Sequence, residues 1–338
     1  MNERVLITGA SGFLGYHIVN AALEQGLEVY AAVRKNSNIE HLKELPVTYV
    51  YLDYEDVADL TKQLAENNIQ YIVHGAGITK AIKQETYNHV NAGYTLNLAR
   101  AASNLPAGCK KLVFISSLAA VGPLPDDKNV ITEATSPKPV TAYGRSKLLA
   151  ETHLASVDIP SVILRPTAIY GPRDKDIFIV VKTLNSGLDP YIGNFLQQLS
   201  FVHAADVAAV AVKALFIEEA KGVYNITDGN CYDRYQFSEI VKKILKKNAF
   251  RFHIPMPLVR SLAFFLETTN GWINKPSVIS REKLHELAAK NWICDITRAK
   301  TELKFSPRFN LQTGLEDAID WYAKNKWLKF KLLKDQLV

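Results

Sequence analysis

A short apolar run near the start of the chain leads directly into three regularly spaced glycines. Val5–Ile7 predicts a strand, and a helix-like pattern begins just after the glycines. In such a strand–turn–helix unit, glycines permit a tight turn, a close approach of backbone to pyrophosphate and close helix–strand packing. The helix also directs unpaired N–H groups and its positive dipole end at the phosphates. The unit therefore predicts a dinucleotide-binding loop, whose contact residues are Gly9, Ser11, Gly12, Phe13, Leu14 and Gly15.

Short apolar runs alternate with helical patterns along the first half of the chain. Short buried strands joined through helices form parallel sheets covered on both faces, and right-handed crossovers make such a sheet doubly wound. The predicted fold class is therefore α/β, a doubly wound parallel sheet of the Rossmann type. The candidate strands are Leu27–Val33, Val47–Leu52, Tyr71–His74, Leu112–Ser116 and Ser161–Leu164, and the helical patterns include Asp56–Glu66 and Tyr94–Ser103.

After Pro166 the alternation weakens, and prolines punctuate the helical segments. We predict a dinucleotide-binding domain over residues 1–170 and a smaller, mainly helical, substrate-binding lobe over residues 171–330. Val223–Ile226 is predicted to return to the main sheet as a strand. Met256–Glu267 is an apolar helical stretch, and its pattern favours a place in the core. The alternatives are that it lines a substrate pocket or touches a membrane surface.

Composition excludes several other classes of protein. The 338 residues are 48% hydrophobic and 22% charged, which is typical of a globular chain. The net charge of +6 is dispersed, which argues against a nucleic-acid partner, and no apolar run reaches the ~18 residues that a membrane span requires. Cys109, Cys231 and Cys294 are far apart and have no neighbouring His, so we expect no metal site and a reducing, cytoplasmic location. The basic tail 324–334 is interpreted as a solvated lysine face, with contact to anionic lipid as the alternative.

The end of the second candidate strand indicates which dinucleotide binds. An acidic residue there would hold the adenosine ribose 2′-OH, whereas an arginine would accommodate a 2′-phosphate. Arg34 and Lys35 occupy this position, and no acid occurs before Glu40. A guanidinium offers a fork of donors matched to phosphate. The sequence therefore favours NADP(H); if Arg34 instead stacks on the adenine, NAD(H) would bind as well.

Tyr143 and Lys147 form the second chemical signal. Positions i and i+4 share one face of a helix, so the two side chains can meet in one pocket. A tyrosine with its ordinary pKa of about 10 is a poor base at neutral pH, but an adjacent ammonium favours the phenolate. Tyr143 could then exchange a proton with a substrate hydroxyl as hydride is transferred. The alternative is a solvated helix face without chemistry.

The Gly-x-x-Gly-x-x-Gly spacing and the Tyr-x-x-x-Lys pair resemble the extended branch of the short-chain dehydrogenase/reductase superfamily. The resemblance covers nearly the whole chain and implies a homodimer and a small-molecule substrate. It implies that Ser117 hydrogen-bonds the reacting oxygen and that Asp53 contacts the adenine, although an N-cap role for Asp53 is a competing interpretation. His203 matches a residue with a structural or pocket-shaping role, and a catalytic role is the alternative. The resemblance also implies that Ala76 and Gly77 pass along the middle of the cofactor. It extends to two further segments, one around Asn91 and one that begins at Arg165–Pro166, and implies that the second borders the nicotinamide.

Two sequence positions help to choose among the reactions of this superfamily. Sugar dehydratases carry an Asp-Glu pair directly after the catalytic serine, where this chain has Leu118 and Ala119. Nucleotide-sugar epimerases commonly carry an Arg-Asp pair at the positions of Leu199–Ser200, so a diphosphate here would need Arg173 or Arg234. We therefore expect an oxidoreductase acting on a ketone or secondary alcohol. The alternatives are a nucleotide-sugar epimerase and a regulator that binds the cofactor without catalysis.

Overall fold

The computed structural model describes residues 3–262 and 281–328. Its strands are β1 (Arg4–Thr8), β2 (Glu28–Ala32), β3 (Val47–Val50), β4 (Tyr71–His74), β5 (Lys111–Ile115), β6 (Ser161–Pro166), β7 (Ala168–Tyr170), β8 (Leu188–Ile192), β9 (Gln198–Leu199), β10 (Phe201–His203), β11 (Gly222–Ile226), β12 (Tyr232–Asp233) and β13 (Phe250–Ile254). Its helices are α1 (Phe13–Glu24), α2 (Val57–Glu66), α3 (Gln84–Tyr87), α4 (Tyr94–Ser103), α5 (Ala142–Ala155), α6 (Lys175–Asn185), α7 (Ala204–Ala214), α8 (Gln236–Leu245), α9 (Arg281–Leu287), α10 (Thr297–Glu302) and α11 (Leu311–Lys324).

Seven of the strands form one parallel sheet in the order β11-β6-β5-β4-β1-β2-β3. Side chains of successive strand residues point to opposite faces, and both faces are buried here. Val5 and Ile7 of β1 belong to a core shared with α1 and α7, whereas Leu6 belongs to a second core that includes residues of α2, α4 and α5. The predicted doubly wound Rossmann sheet, covered on both faces, is confirmed.

The helices that flank the sheet begin at polar caps that the sequence provides. Asp56 caps α2 by accepting hydrogen bonds from the backbone amides of Ala58 and Asp59, and Thr141 caps α5 by accepting one from Gly144. Such caps satisfy N–H groups that have no partner within the helix. Helix α4 has the bounds that the sequence pattern predicts.

The second half of the chain holds helices together with short strands that the sequence did not predict. Strand β11 joins the edge of the main sheet beside β6, as expected for Val223–Ile226. The other six strands form three two-stranded sheets, β10-β7, β12-β9 and β13-β8. A separate core, which includes Tyr170, Phe237 and Tyr322, holds α6, α8 and α11 together.

Two segments discussed above extend beyond the described residues. Residues 256–262 of the apolar stretch are helical, and its part from residue 263 lies outside the description. The basic tail is described only as far as Leu328, which is buried against the core of α11. Over residues 3–262 and 281–328, no helix is long and apolar enough to cross a bilayer.

Candidate active site

The glycine loop joins the central strand β1 to helix α1 at the carboxyl edge of the sheet. Gly12 caps α1 without any side-chain hydrogen bond, and the first turn carries no acidic residue. A Cβ at Gly15 would lie 2.0 Å from the carbonyl oxygen of Gly9, so only glycine allows this close packing. The helix N-terminus therefore presents unpaired N–H groups that can receive an anion.

A buried histidine links the glycine loop to the loop after β4. The hydroxyl of Thr95 donates to the Asn91 carbonyl oxygen, so His74 donates from Nε2 to Thr95 Oγ1 at 2.9 Å. Nδ1 of His74 then accepts from the Thr8 hydroxyl at 2.7 Å, and Thr8 Oγ1 in turn accepts from the amide of Ala76 at 3.1 Å. Burial lowers the pKa of His74 to about 3, which keeps the ring neutral.

The residues predicted to contact the adenosine end of a dinucleotide lie at the same edge of the sheet. Arg34 follows β2 and is exposed, and its guanidinium forms no ion pair with any described residue. Strand β3 ends at Val50, so Asp53 lies beyond the strand and not at its end. Asp53 accepts a hydrogen bond from the amide of Glu55 at 3.0 Å, and the N-cap of α2 is Asp56. The competing interpretation of Asp53 as an N-cap is therefore wrong.

Helix α5 brings Tyr143 against the turn that follows β5. A Cβ at Gly144 would lie 2.3 Å from the carbonyl oxygen of Ala119, so glycine permits the helix to approach this turn. Ser117 begins the turn, and its hydroxyl accepts a hydrogen bond from the amide of Ala119 at 3.1 Å. Burial raises the pKa of Tyr143 to about 12, and a hydrogen bond with Ser117 opposes the rise. The two hydroxyls thus lie together.

Lys147 lies one helical turn after Tyr143 and is buried. Its ammonium donates to the carbonyl oxygen of Ile115 at 2.8 Å and lies 4.6 Å from the ring centroid of Phe114. Burial lowers its pKa to about 8, and the negative charge of Glu151 opposes that change. The side chain is therefore a cation at neutral pH that loses its proton within a pH range in which enzymes are assayed.

Glu151, whose charge acts on Lys147, forms a buried ion pair with Arg165. Glu151 accepts two hydrogen bonds from Arg165, at 2.9 Å to Nε and 2.5 Å to Nη2. The hydroxyl of Ser116 donates to the same carboxylate at 2.5 Å. The hydroxyl of Ser116 therefore faces the ion pair and not the Tyr143 hydroxyl. The motif Tyr-x-x-x-Lys carries no indication of this network.

Asn91 connects the loop after β4 to helix α5. Its side chain, fully buried in a π-helical turn, accepts from the amide of Ile78 at 2.8 Å and donates to Ser146 Oγ at 2.9 Å. The amide oxygen of Asn91 and the ammonium of Lys147 both lie beside the Cα of Gly77. The structure therefore brings the glycine loop, the Gly77 loop and the Tyr143 helix to one crevice, which is where open α/β sheets bind ligands.

Helix α9 adds acidic residues that sequence reasoning missed. Glu282 accepts a hydrogen bond from the amide of Ala142, the first residue of α5. Glu286, on the same helix, is close enough for its charge to raise the pKa of Tyr143. No local motif marks either residue, because only the fold brings this segment to the Tyr143 helix.

Pro166 and His203 make contacts that stabilise the fold. Pro166 ends β6 and is paired with Ile226 of β11. His203 is buried, caps α7 by accepting from the amide of Ala205, and packs on the ring of Phe309. These contacts give His203 a structural setting, in agreement with the expectation.

The two arginines suggested as diphosphate ligands lie in different settings. Arg234 is buried and donates to the carbonyl oxygens of Phe195 at 2.8 Å and Ile192 at 2.9 Å. Arg173 lies 4.6 Å from the ring centroid of Tyr16. Among the described residues, no group of His, Cys, Asp and Glu could hold a metal ion.

Comparisons with known proteins agree with this geometry. The chain is 27% identical to a ceramide reductase of Caulobacter vibrioides, over 96% of both proteins. It is 23% identical to a sterol-4-alpha-carboxylate 3-dehydrogenase of Dictyostelium discoideum, over 93% of this chain and 99% of the relative. Its fold matches a UDP-glucose 4-epimerase of Thermotoga maritima with a TM-score of 0.77 at 21% identity, over 96% and 99% of the two chains.

The model of the NAD dependent epimerase/dehydratase family matches residues 5–227. This range contains the glycine loop, the Gly77 loop and the Tyr143 helix, which meet at the carboxyl edge of the sheet. The relatives named above include a reductase and a dehydrogenase. The resemblance to extended short-chain dehydrogenases/reductases is confirmed, and the chain is an enzyme that belongs to the NAD-dependent epimerase/dehydratase family.

Proposed function

We propose that this enzyme transfers hydride between NADP(H) and a ketone or secondary alcohol, with Tyr143 as general acid and base. The observation that carries the proposal is the meeting of the Ser117 and Tyr143 hydroxyls just beyond β5, with the Lys147 ammonium one turn behind. A ketone oxygen placed between two hydroxyl donors gains hydrogen bonds as negative charge develops on it.

The proton that reduction requires is available on Tyr143. Its pKa of about 12 means that the phenol is protonated at neutral pH and can donate to the substrate oxygen. Lys147, as an ammonium, favours the phenolate that this transfer leaves. Ser117 holds the oxygen in place while the proton moves. In the oxidative direction the same groups act in reverse, and Tyr143 accepts the proton of the alcohol.

The residues at the sheet edge fit a nicotinamide dinucleotide, which supplies the hydride when bound. Gly12 leaves the N-terminus of α1 without a side-chain cap, so its N–H groups can hold a pyrophosphate. Asp53 is exposed beyond β3 at the same edge of the sheet, which supports its proposed contact with the adenosine. The loop of Ala76 and Gly77 and the strand end at Pro166 border the crevice on the β4 and β6 sides.

Arg34 supports NADP(H) over NAD(H). Its guanidinium is exposed after β2, has no ion pair among the described residues and has Lys35 beside it. A 2′-phosphate would give this pair of cations a partner, whereas a 2′-OH would be better held by a carboxylate. Structural neighbours of this chain have been solved with NAD, so the preference requires a direct test.

The pocket side of the site supports an oxidoreductase over a nucleotide-sugar epimerase. By the resemblance, Leu199 and Ser200 correspond to the Arg-Asp pair of nucleotide-sugar epimerases, and neither carries a positive charge. The hydrogen bonds of Arg234 to the 192–195 backbone give that guanidinium a structural task. The named relatives that act on a ceramide and a sterol also favour a reductase or dehydrogenase.

The test begins with the nucleotide that the purified protein carries. The protein is denatured, any released nucleotide is identified, and the emptied protein is titrated with NADPH and NADH by fluorescence. We expect an empty protein that binds NADPH more tightly and oxidises it in the presence of some member of a panel of aliphatic and alicyclic ketones. Tightly retained NAD⁺ would favour an epimerase, and cofactor binding without turnover of any ketone or alcohol would favour a catalytically silent regulator.

A further inference from the structure

Strands β8 and β13 form a two-stranded parallel ribbon whose two faces differ in chemistry. Leu188 pairs with Phe250, Pro190 with Phe252 and Ile192 with Ile254. Alternate residues of a strand point to the same face, so these six side chains share one face of the ribbon. The stacked rings of Phe250 and Phe252, 6.0 Å apart, agree with that assignment. These six residues are called the apolar ribbon face below.

The opposite face of the ribbon is polar and packs against helix α8. Asp189 accepts hydrogen bonds from Ser238 and Lys242 of α8, and Arg251 donates to the same carboxylate at 3.3 Å. The rings of Tyr191 and His253 stack 5.6 Å apart on this side. Helix α8 therefore covers the polar face, and the apolar ribbon face points away from that helix.

Among residues 3–262 and 281–328, one end of the apolar ribbon face is covered and the other end is exposed. Ile192 and Ile254 pack on Val259 and on Leu284 of α9. At the other end, Phe250 is 72% exposed and Leu188 is 47% exposed. Exposed aromatic and aliphatic side chains that lie together, beside charged residues, are typical of an interaction surface.

Three lysines at the end of α8 precede the exposed end of the ribbon along the chain. Lys243, Lys246 and Lys247 are exposed, and none of them forms an ion pair with a described residue. Lys246 adopts a left-handed conformation that ends α8, and the chain then leads through Lys247 into β13 at Phe250. A depression beside these lysines is also lined by Glu239 and Lys242, which form an ion pair with each other. The unpaired positive charges thus lie at the same end of the ribbon as the exposed Phe250.

We propose that the apolar ribbon face docks on the surface of a lipid bilayer that contains anionic lipids. Phe250 and Leu188 enter the boundary between headgroups and acyl chains, while the lysines contact the negative headgroups. This arrangement of an apolar patch bordered by lysines has the chemistry of an interfacial anchor. The charge of the lysine cluster favours this partner over a second copy of the chain, which would place like charges together. The proposal does not depend on the reaction proposed above.

The test measures binding to vesicles of defined composition. Purified full-length protein is floated with vesicles of phosphatidylcholine alone and with vesicles of an equal mixture of phosphatidylcholine and phosphatidylglycerol. We expect binding only to the mixed vesicles, and weaker binding as salt is raised. Each lysine near an anionic surface strengthens binding by about fivefold, so Lys243→Glu/Lys246→Glu/Lys247→Glu is expected to weaken binding by at least about 100-fold.

Two further variants separate the ribbon from general electrostatics. Phe250→Ser removes the exposed ring with no change of charge and is expected to weaken vesicle binding. Lys62→Glu/Lys128→Glu/Lys300→Glu changes the net charge as much as the lysine triple variant does, but at exposed positions elsewhere, and is expected to retain most of the binding. Melting curves of all variants establish that they are folded before their binding is compared.

Three results would overturn the proposal. The first is equal or absent binding to both kinds of vesicle. The second is the same loss of binding in the two lysine triple variants, which would assign the effect to net charge. The third is a dimer, detected by light scattering, that Phe250→Ser dissociates, because a second copy would then cover the apolar ribbon face.

Discussion

Glu282 accepts a hydrogen bond from the backbone amide of Ala142 at 2.6 Å, and so joins helix α9 to the start of helix α5. Its other carboxylate oxygen accepts from the guanidinium of Arg145 at 2.5 Å. The first amides of a helix have no partner within the helix, and a negative charge there is favoured by the helix dipole. A segment far along the chain therefore holds the end of the helix that carries Tyr143.

Two substitutions of Glu282 should weaken the contact between helices α9 and α5 to different extents. Glu282→Ala is expected to lower the free energy of unfolding by about 1–2 kcal/mol, because an amide and a guanidinium lose their acceptor. Glu282→Gln keeps an acceptor but loses the charge, so about half of that effect is expected. Urea denaturation measures both. Glu66→Ala, at an exposed carboxylate on α2, serves as the control, and an equal effect there would show that the Glu282 contact contributes nothing specific.

Tyr143→Phe removes one hydroxyl and tests the role of the general acid. We expect kcat/KM for a ketone substrate to fall by about 10²–10⁴, because reduction loses its proton donor. The affinity for NADPH and the melting temperature should be nearly unchanged, since the ring remains. Tyr51→Phe, at an exposed tyrosine, controls for loss of a phenol elsewhere. Full activity of Tyr143→Phe would remove this residue from the proposed chemistry.

Arg34→Gln tests the preference for the phosphorylated cofactor. Hydrogen bonds to a charged group contribute about 1.5–3 kcal/mol, so the Kd for NADPH should rise by roughly 10- to 150-fold. The Kd for NADH should stay the same, because it lacks the 2′-phosphate. Fluorescence titration measures both constants, and Arg100→Gln on α4 is the exposed control. Equal losses for the two cofactors would indicate that Arg34 stacks on the adenine, as the alternative interpretation holds.

Elements built from local pattern were predictable from the sequence, whereas the β8–β13 ribbon was not. Helix α4 has its predicted bounds, and the apolar strands of the main sheet were placed to within a few residues. Strand β8 contains Pro190, and β13 alternates Phe and Ile with Arg251 and His253. Proline disfavours a strand, and two such short segments become strands only because they pair with each other and pack on α8.

In the candidate site too, residues that belong to a sequence motif were predictable, whereas contacts between distant segments were not. The position of Tyr143 and Lys147 one turn apart on a helix was predictable from their spacing, and the role of Ser117 was implied only by the resemblance. The Ser116–Glu151–Arg165 network was not predictable, because Ser116 follows β5, Arg165 lies in β6 and Glu151 lies in α5, and only the fold brings them together. Residues that adjust the site from a distance in sequence therefore require the structure.

The pH dependence of reduction should follow the charge of Lys147. Its pKa of about 8 means that the ammonium is present below pH 8 and is lost above it. If the ammonium supports proton transfer from Tyr143, kcat/KM should be level below about pH 8 and should fall about tenfold for each further pH unit. A pH–rate profile of ketone reduction under limiting substrate measures this.

Two variants test whether the fall in kcat/KM above about pH 8 reflects the loss of the Lys147 proton. The charge of Glu151 raises the pKa of Lys147, so Glu151→Gln should move the fall in activity to lower pH. Ser116→Ala removes a hydrogen bond to the same carboxylate without removing its charge, so the fall should stay near pH 8. Glu151→Gln also leaves the buried Arg165 without its counterion and should cost about 3–5 kcal/mol of stability. An unmoved limb in folded Glu151→Gln would show that another group titrates.

His74 should make the fold sensitive to acid. Burial lowers its pKa from 6.5 to about 3, so between these values the unfolded chain binds a proton that the folded protein does not. The free energy of unfolding should therefore fall with pH below 6.5, by about 1.4 kcal/mol per pH unit from this residue. His74→Asn lacks the titrating ring, so its loss between pH 7 and pH 5 should be about 2 kcal/mol smaller than that of the unaltered protein. Denaturation at the two pH values measures the difference, with His89→Asn as the control at an exposed histidine. Equal losses in the His74→Asn variant and the unaltered protein would mean that the folded protein admits the proton at His74.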